Sequence, residues 1–277
     1  MSSFPPIALQ EILLATDFGG PSRRALAFAK QIALRRAAPL RIVHVLDLTG
    51  PQDPAKPSFA AAHDAAKRAL REIRRELRLS GIDNTATLIS AGNPAAALRE
   101  LVLQHRPSLL ILGLNVLGFN RLGLNGPRSH PPTALGSTAQ ALLDAPPCPI
   151  LTVSESCPEH PPESALERVL FVVDASPESL RAALDAWPLA PHPSTPAILA
   201  VLPRRAQPAW KIPEDLQRRF HPILVLDRAK AEETVLHHAR ESRAGLIVAA
   251  FPGGTQLGSL AHALLTQALC PILTVRA

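Results

Sequence analysis

Residues 135–153 read LGSTAQALLDAPPCPILTV, and residues 257–275 read LGSLAHALLTQALCPILTV. Thirteen of these nineteen positions are identical at an offset of 122, so the chain contains an internal repeat. In each copy a helical stretch opens at Gly-Ser and leads into CPILTV. That strand is apolar on both faces and rich in Val, Ile and Leu, as a parallel strand covered by helices on both sides must be.

Further toward the N-terminus the two copies still match, at other offsets. EILLATDF at 11–18 aligns with RVLFVVDA at 168–175 at an offset of 157, each an apolar strand ending in an Asp, Asp17 or Asp174. IVHVL at 42–46 matches ILAVL at 198–202 at 156, and LLILG at 109–113 matches LIVAA at 246–250 at 137. The falling offset means that the second copy is shorter by 19 residues after its second strand and by another 15 after its fourth. In the first copy we expect strands near 11–16, 40–46, 85–90, 108–113 and 149–153. Helices are expected near 21–36, 58–79, 94–105 and 134–144, the first capped by Ser22 or a neighbour and the third opened by Asn93-Pro94. Alternating strands and helices imply an α/β protein with right-handed crossovers. Two domains are expected, 1–154 and 168–277, joined by a polar, Pro-rich linker at 155–167.

Composition narrows the class further. The chain has 277 residues, 47% of them apolar, which is enough for sizeable cores and argues against disorder. No run of apolar residues is long enough for a membrane span, and the N-terminus has no secretory pattern. Net charge is +6, yet the one dense basic run, Lys67, Arg68, Arg71, Arg74, Arg75 and Arg78, is interleaved with Asp64, Glu72 and Glu76. Without aromatic interleaving this reads as a solvated helix face, and no nucleic acid is expected. Three cysteines with no C-x-x-C pair fit a reducing, cytoplasmic setting.

In an open parallel sheet, ligands bind beyond the carboxyl ends of the strands, where the strand order reverses. The first strand delivers Ala15, Thr16 and Asp17 there, the second His44, Val45 and Asp47, and the fourth Leu112 and Gly113. A glycine-containing loop follows from Gly113 through Asn115 and Gly118 to a helix opening at Gly136, Ser137 and Thr138. Glycines allow close backbone approach, and free N–H groups at a helix start favour an anion. An Asp at a strand end can accept from a ribose hydroxyl or an adenine amino group, so the constellation suits an adenine nucleotide.

ILLATDFGGPSRRALAFAKQIA, IVHVLD, LLILGL and LGSTAQALLDAPPCPILTV, in this order, resemble the universal stress protein (UspA-like) family. The likeness covers nearly all of 11–153 and, faintly at first and then strongly, 168–275. It implies two tandem, Rossmann-like, open parallel five-stranded sheets with strand order 3-2-1-4-5. It also implies ATP, with Mg2+ possible, as a conformational ligand in stress response or signalling. The family's loop has the form G-x2-G-x9-G-[ST]. Gly113 matches its first Gly, and Gly136 and Ser137 its close. Asp17 and Val45 match the adenosine-contacting positions. Val116 stands in place of the middle Gly, with Gly118 two residues later, and the loop is about ten residues longer than the pattern. In the second copy Ala250 replaces the first Gly and the loop is too short to wrap a triphosphate, so binding is expected in the first domain only. Last strands in this family commonly pair across a dimer interface. The resemblance therefore implies an internal pseudo-dimer through 149–153 and 271–275, with room for a further homodimer or an unknown protein partner. No general base or metal-ligand spacing stands out, so the protein is not expected to be an enzyme. The alternative reading is a nucleotide-free interaction module of the same fold.

Overall fold

The computed structural model describes the chain except residues 1–8, 50–57, 118–133, 175, 187–196, 202–213, 215–219, 227–229, 252–257 and 277. The first copy contains β1 (Ile12–Ala15), α1 (Gly20–Arg36), β2 (Leu40–Asp47), α2 (Phe59–Leu79), β3 (Thr85–Gly92), α3 (Pro94–His105) and β4 (Leu109–Leu114). A short ladder follows, β5 (Val116–Leu117) against β6 (Ala134–Leu135), and then α4 (Ser137–Asp144) and β7 (Ile150–Ser154). The second copy contains β8 (Val169–Val173), α5 (Pro177–Ala186), β9 (Ala197–Val201), β10 (Phe220–Val225), α6 (Ala231–Glu241), β11 (Leu246–Phe251), α7 (Ser259–Gln267) and β12 (Ile272–Arg276).

The strands form one ten-stranded sheet in the order β10-β9-β8-β11-β12-β7-β4-β1-β2-β3. Within this sheet all pairings inside a copy are parallel, and each half has the order 3-2-1-4-5. The halves meet where β7 and β12 run antiparallel, with Thr152 opposite Ile272 and Ile150 opposite Thr274. The Thr152 hydroxyl donates to the Ile272 carbonyl at 3.2 Å. Two apolar layers cover the sheet, and each runs through both copies. One contains Phe28, Leu70, Leu77, Phe171 and Leu180 beneath α1, α2 and α5. The other contains Leu98, Leu142, Val235 and Leu264 beneath α3, α4, α6 and α7. Among the described residues no helix is long and apolar enough to cross a membrane.

Two local expectations are corrected. The last helix of the first copy begins at Ser137, not 134, because Ala134 and Leu135 are held extended by pairing with Leu117 and Val116. Ser22 does not cap α1. The N-cap is Gly19 with no side-chain cap, and Pro21 sits in the first turn, where its missing N–H costs nothing. Ser22 is turned instead toward Asp17. The 155–167 segment packs on the first copy: Arg24 donates to the Cys157 carbonyl at 3.0 Å, and Gln31 to that of Pro161 at 2.7 Å. Cys157 and Leu166 are buried there.

Candidate functional site

The carboxyl ends of β1, β2 and β4 and the starts of α3 and α4 enclose a cavity of about 330 Å3. It lies between β1 and β4, where the strand order of the first copy reverses. Eleven residues expected from the sequence line it: Ala15, Thr16, Asp17, Val45, Asp47, Leu112, Gly113, Asn115, Gly136, Ser137 and Thr138. Gly118 lies outside the described residues. Five further residues line the wall: Ser22, Val43, Pro94, Leu98 and Ala139. Pro94 and Leu98 bear no polar signal. They reach the site because Asn93 starts α3 beside it, its side chain accepting from Ala96 N at 3.0 Å.

The turn after β1 is closed by its own side chains. Thr16 Oγ1 accepts from Phe18 N at 3.0 Å, and Asp17 Oδ1 accepts from Gly19 N at 2.8 Å. This places Phe18 at φ 62°, a left-handed conformation that is unfavourable for an aromatic residue. The ring compensates by packing on His44 at a centroid distance of 4.4 Å. His44 is a structural residue of the half-buried strand end, its Nδ1 donating to the Thr16 carbonyl at 2.8 Å.

Asp17 is the polar centre of the cavity. Its Oδ1 also accepts the Ser22 hydroxyl at 2.6 Å, while Asn115 Nδ2 approaches Oδ2 at a long 3.4 Å. Oδ2 is therefore the oxygen with capacity to spare for a ligand donor. Partial burial raises the Asp17 pKa, but the bonds from Ser22, Gly19 and Asn115 outweigh it, and the net shift is downward from 3.8. A carboxylate depressed in the folded state stabilises the fold fully above its unfolded pKa, and that contribution fades as pH falls through the folded value. Denaturation curves of wild type and Asp17→Asn between pH 3 and 7 are expected to differ by a constant amount at the upper end. The difference should shrink below about pH 4, because the unfolded carboxyl protonates there first. A difference that grows toward low pH would contradict the depressed pKa.

Asp47 brings a second carboxylate to the wall, its Oδ1 accepting from Thr49 N and Oγ1 at 2.9 and 2.6 Å. Helix α4 also opens on the cavity, with Gly136, Ser137 and Thr138 in its lining and no side-chain cap at Gly136. Its first-turn N–H groups and two hydroxyls form the electropositive wall. A Cβ on Gly136 would meet only Asn115, at 3.6 Å, whereas one on Gly113 would lie 2.4 Å from Ser22 N. Gly113 is thus required by the approach of α1 to β4.

At the matching place in the second copy, Asp174 is buried and its Oδ1 accepts from Ser176 N and Oγ at 3.0 and 2.5 Å. Ser179, the counterpart of Ser22, donates to the Ala250 carbonyl at 2.5 Å instead of to the Asp. The cluster faces inward: the Asp–Ser pair is kept, with Asp174 N still donating to Ser179 Oγ, and the Ser hydroxyl has changed its acceptor.

This is a doubly wound α/β chain with a crevice at its first topological switch point. The sequence model of the universal stress protein family matches residues 9–154, and the chain belongs to that family. A relative from Thermus aquaticus, described as a universal stress protein in the QAH/OAS sulfhydrylase 3' region, is 29% identical over 143 residues, 51% of this chain and 96% of that protein. A universal stress protein structure from Archaeoglobus fulgidus superposes with a TM-score of 0.73 at 17% identity, covering 96% of this chain and 98% of the other. A putative universal stress protein from Pseudomonas aeruginosa gives 0.54 at 16% identity, covering 97% and 94%. At these identities the structures attest the fold alone.

Proposed function

We propose that the first copy, 1–154, binds an adenine nucleotide, ATP with Mg2+, as a conformational ligand in stress response or signalling in the cytoplasm. The second copy, 168–277, does not bind one at the equivalent place. The observation that carries this reading is the cavity whose one side offers a carboxylate oxygen and apolar strand ends and whose other side is the uncapped start of α4. Val43, Val45, Leu98 and Leu112 give a base a flat apolar wall, Asp17 an acceptor for a ribose or amino donor, and α4 an anchor for phosphate. The volume lies at the lower end of small-molecule sites, which run from about 300 to 1,000 Å3. It suits the nucleoside, with the phosphates reaching out under α4. The described lining holds two carboxylates and no Lys or Arg. A divalent cation is therefore the natural partner for a polyphosphate here.

The test is direct. Small molecules released on denaturing the purified protein should include an adenine nucleotide, and the nucleotide-free protein should take up ATP and Mg2+ in calorimetry. Gly136→Val is expected to weaken binding at least about tenfold by obstructing approach to the helix start, and Gly258→Val to leave it unchanged. If no nucleotide is released and millimolar ATP gives neither heat nor a melting shift, the chain is a nucleotide-free interaction module. Equal loss from both valines would overturn the assignment to the first copy.

A further inference from the structure

Helix α4 forms the electropositive wall of the cavity and has only eight residues, Ser137–Asp144. A helix this short depends on tertiary support, and its last four carbonyls need donors. Ordinarily the N–H groups just beyond the helix supply them. Here the next residues are Ala145, Pro146 and Pro147, and the two prolines have no N–H. Among the described residues no backbone N–H after Asp144 bonds back into α4, and its last turn holds no basic residue.

Two arginines from outside the helix supply donors to three of these four carbonyls. Arg99 Nη2, on α3, donates to the Ala141 carbonyl. Arg276, at the end of β12 in the second copy, donates through Nη2 to the Asp144 carbonyl and, at 3.5 Å, to that of Leu143. The other half of the molecule is the control. There α7 is followed by Ala268 and Leu269 instead of Pro-Pro, and Ala268 N closes on the Leu264 carbonyl at 3.0 Å. The position equivalent to Arg99 is Leu236, and that equivalent to Arg276 is Ser154. Where the helix closes itself, both arginines are absent.

We infer that the second copy serves the first: Arg276 completes the C-terminus of α4 across the β7–β12 junction and so holds the start of that helix over the cavity. The support runs one way, because Ser154 is too short to repeat it on α7. A cation at a helix C-terminus also complements the dipole whose positive end faces the cavity. Arg276 is a positioning residue, and the role rests on the proposed function only where it concerns phosphate.

The experiment uses the full chain. Amide hydrogen exchange of the 137–144 peptide is compared in wild type, R276A, R276K, the closing pair P146A/P147L and P146A/P147L/R276A. ATP and adenosine affinities are measured for each. R276A is expected to speed exchange in 137–144 about tenfold, with a smaller effect for R276K. In the P146A/P147L background, which restores the missing N–H groups, R276A should have little effect. ATP affinity should fall with R276A while adenosine affinity holds. Unchanged exchange in R276A, or equal acceleration in both backgrounds, overturns the inference. If wild type binds neither ATP nor adenosine but the exchange pattern appears, the nucleotide reading fails and the support of α4 stands. Unaltered far-UV spectra for R276K and P146A/P147L show that the fold is intact.

Discussion

Gly245→Ala is expected to cost this protein about 3 kcal/mol or more of stability, seen as a lowered denaturation midpoint with an unchanged slope. A methyl group built on Gly245 would lie 1.3 Å from the Ala165 carbonyl oxygen and 2.5 Å from its carbon. Both are backbone atoms of the 3-10 turn Glu163–Leu166, so no side chain can swing aside. That turn is anchored in its own right. Leu166 is buried, and Gly245 N and Leu246 N both bond to the Arg168 carbonyl, at 2.8 and 3.2 Å. Accommodating a methyl means moving the connector off the start of β11 and exposing Leu166. The first copy shows why the demand is local. Its equivalent residue is Ser108, whose N bonds to the Glu11 carbonyl at 2.9 Å in the same pattern, and whose side chain has room to accept from Gln10 N at 3.0 Å. Ser108→Gly is therefore expected to cost the exposed hydrogen bond from Gln10 N and the conformational entropy of a glycine, together about 1–2 kcal/mol. A Gly245→Ala variant as stable as wild type would show that the connector repacks freely.

Gly245 also illustrates what could not be read in the sequence. Its spacing within the repeat is visible, but its need for a bare backbone arises from a connector that has no counterpart in the first copy. The order of strands and helices was legible because the inner strands β1, β4, β8 and β11 are apolar throughout and polar or Gly/Pro breaks bound the elements, so periodicity and the repeat agree. Asp17, Val45, Gly113 and Gly136 were legible for the same reason: they sit at the ends of such strands or at the start of a helix. Pro94 and Leu98 were not, because a cavity wall made by the side of a helix looks like any other apolar stripe. Ser22 was visible as a helix-start residue but misassigned, since Ser at N3 and Ser at N-cap differ in sequence by a shift too small for composition to resolve. The role of Arg276 depends on the absence of two N–H groups 130 residues earlier, and only the antiparallel β7–β12 pairing brings the two together.

Gly113→Ala is the second large effect, and it separates packing from ligand contact. The new Cβ would lie 2.4 Å from Ser22 N, 2.6 Å from the Pro21 carbonyl carbon and 2.8 Å from Ser22 Cα. All three belong to the first turn of α1, so α1 must retreat from β4 as a body. An overpacking cost of about 2–3 kcal/mol is expected. The same retreat carries the Ser22 hydroxyl away from Asp17 Oδ1, which it meets at 2.6 Å. The carboxylate then loses its shortest donor and its fixed orientation. Nucleotide affinity should fall together with stability, even for a nucleoside without phosphates, whereas a glycine needed only for phosphate approach would spare adenosine. The second copy shows the relaxed alternative: Ala250 is fully buried at the same position, and Ser179 donates to the Ala250 carbonyl instead of to Asp174. Ala250→Gly should accordingly cost only about 1–2 kcal/mol, for a buried methyl and the glycine entropy, with no gain of binding in that half. Denaturation midpoints paired with adenosine and ATP titrations check both variants. Should Gly113→Ala keep wild-type stability and lose only ATP, the glycine serves the phosphates, and the coupling of α1 to Asp17 through Ser22 is wrong. Should stability fall while adenosine still binds at wild-type strength, the packing argument holds but Ser22 does not orient Asp17.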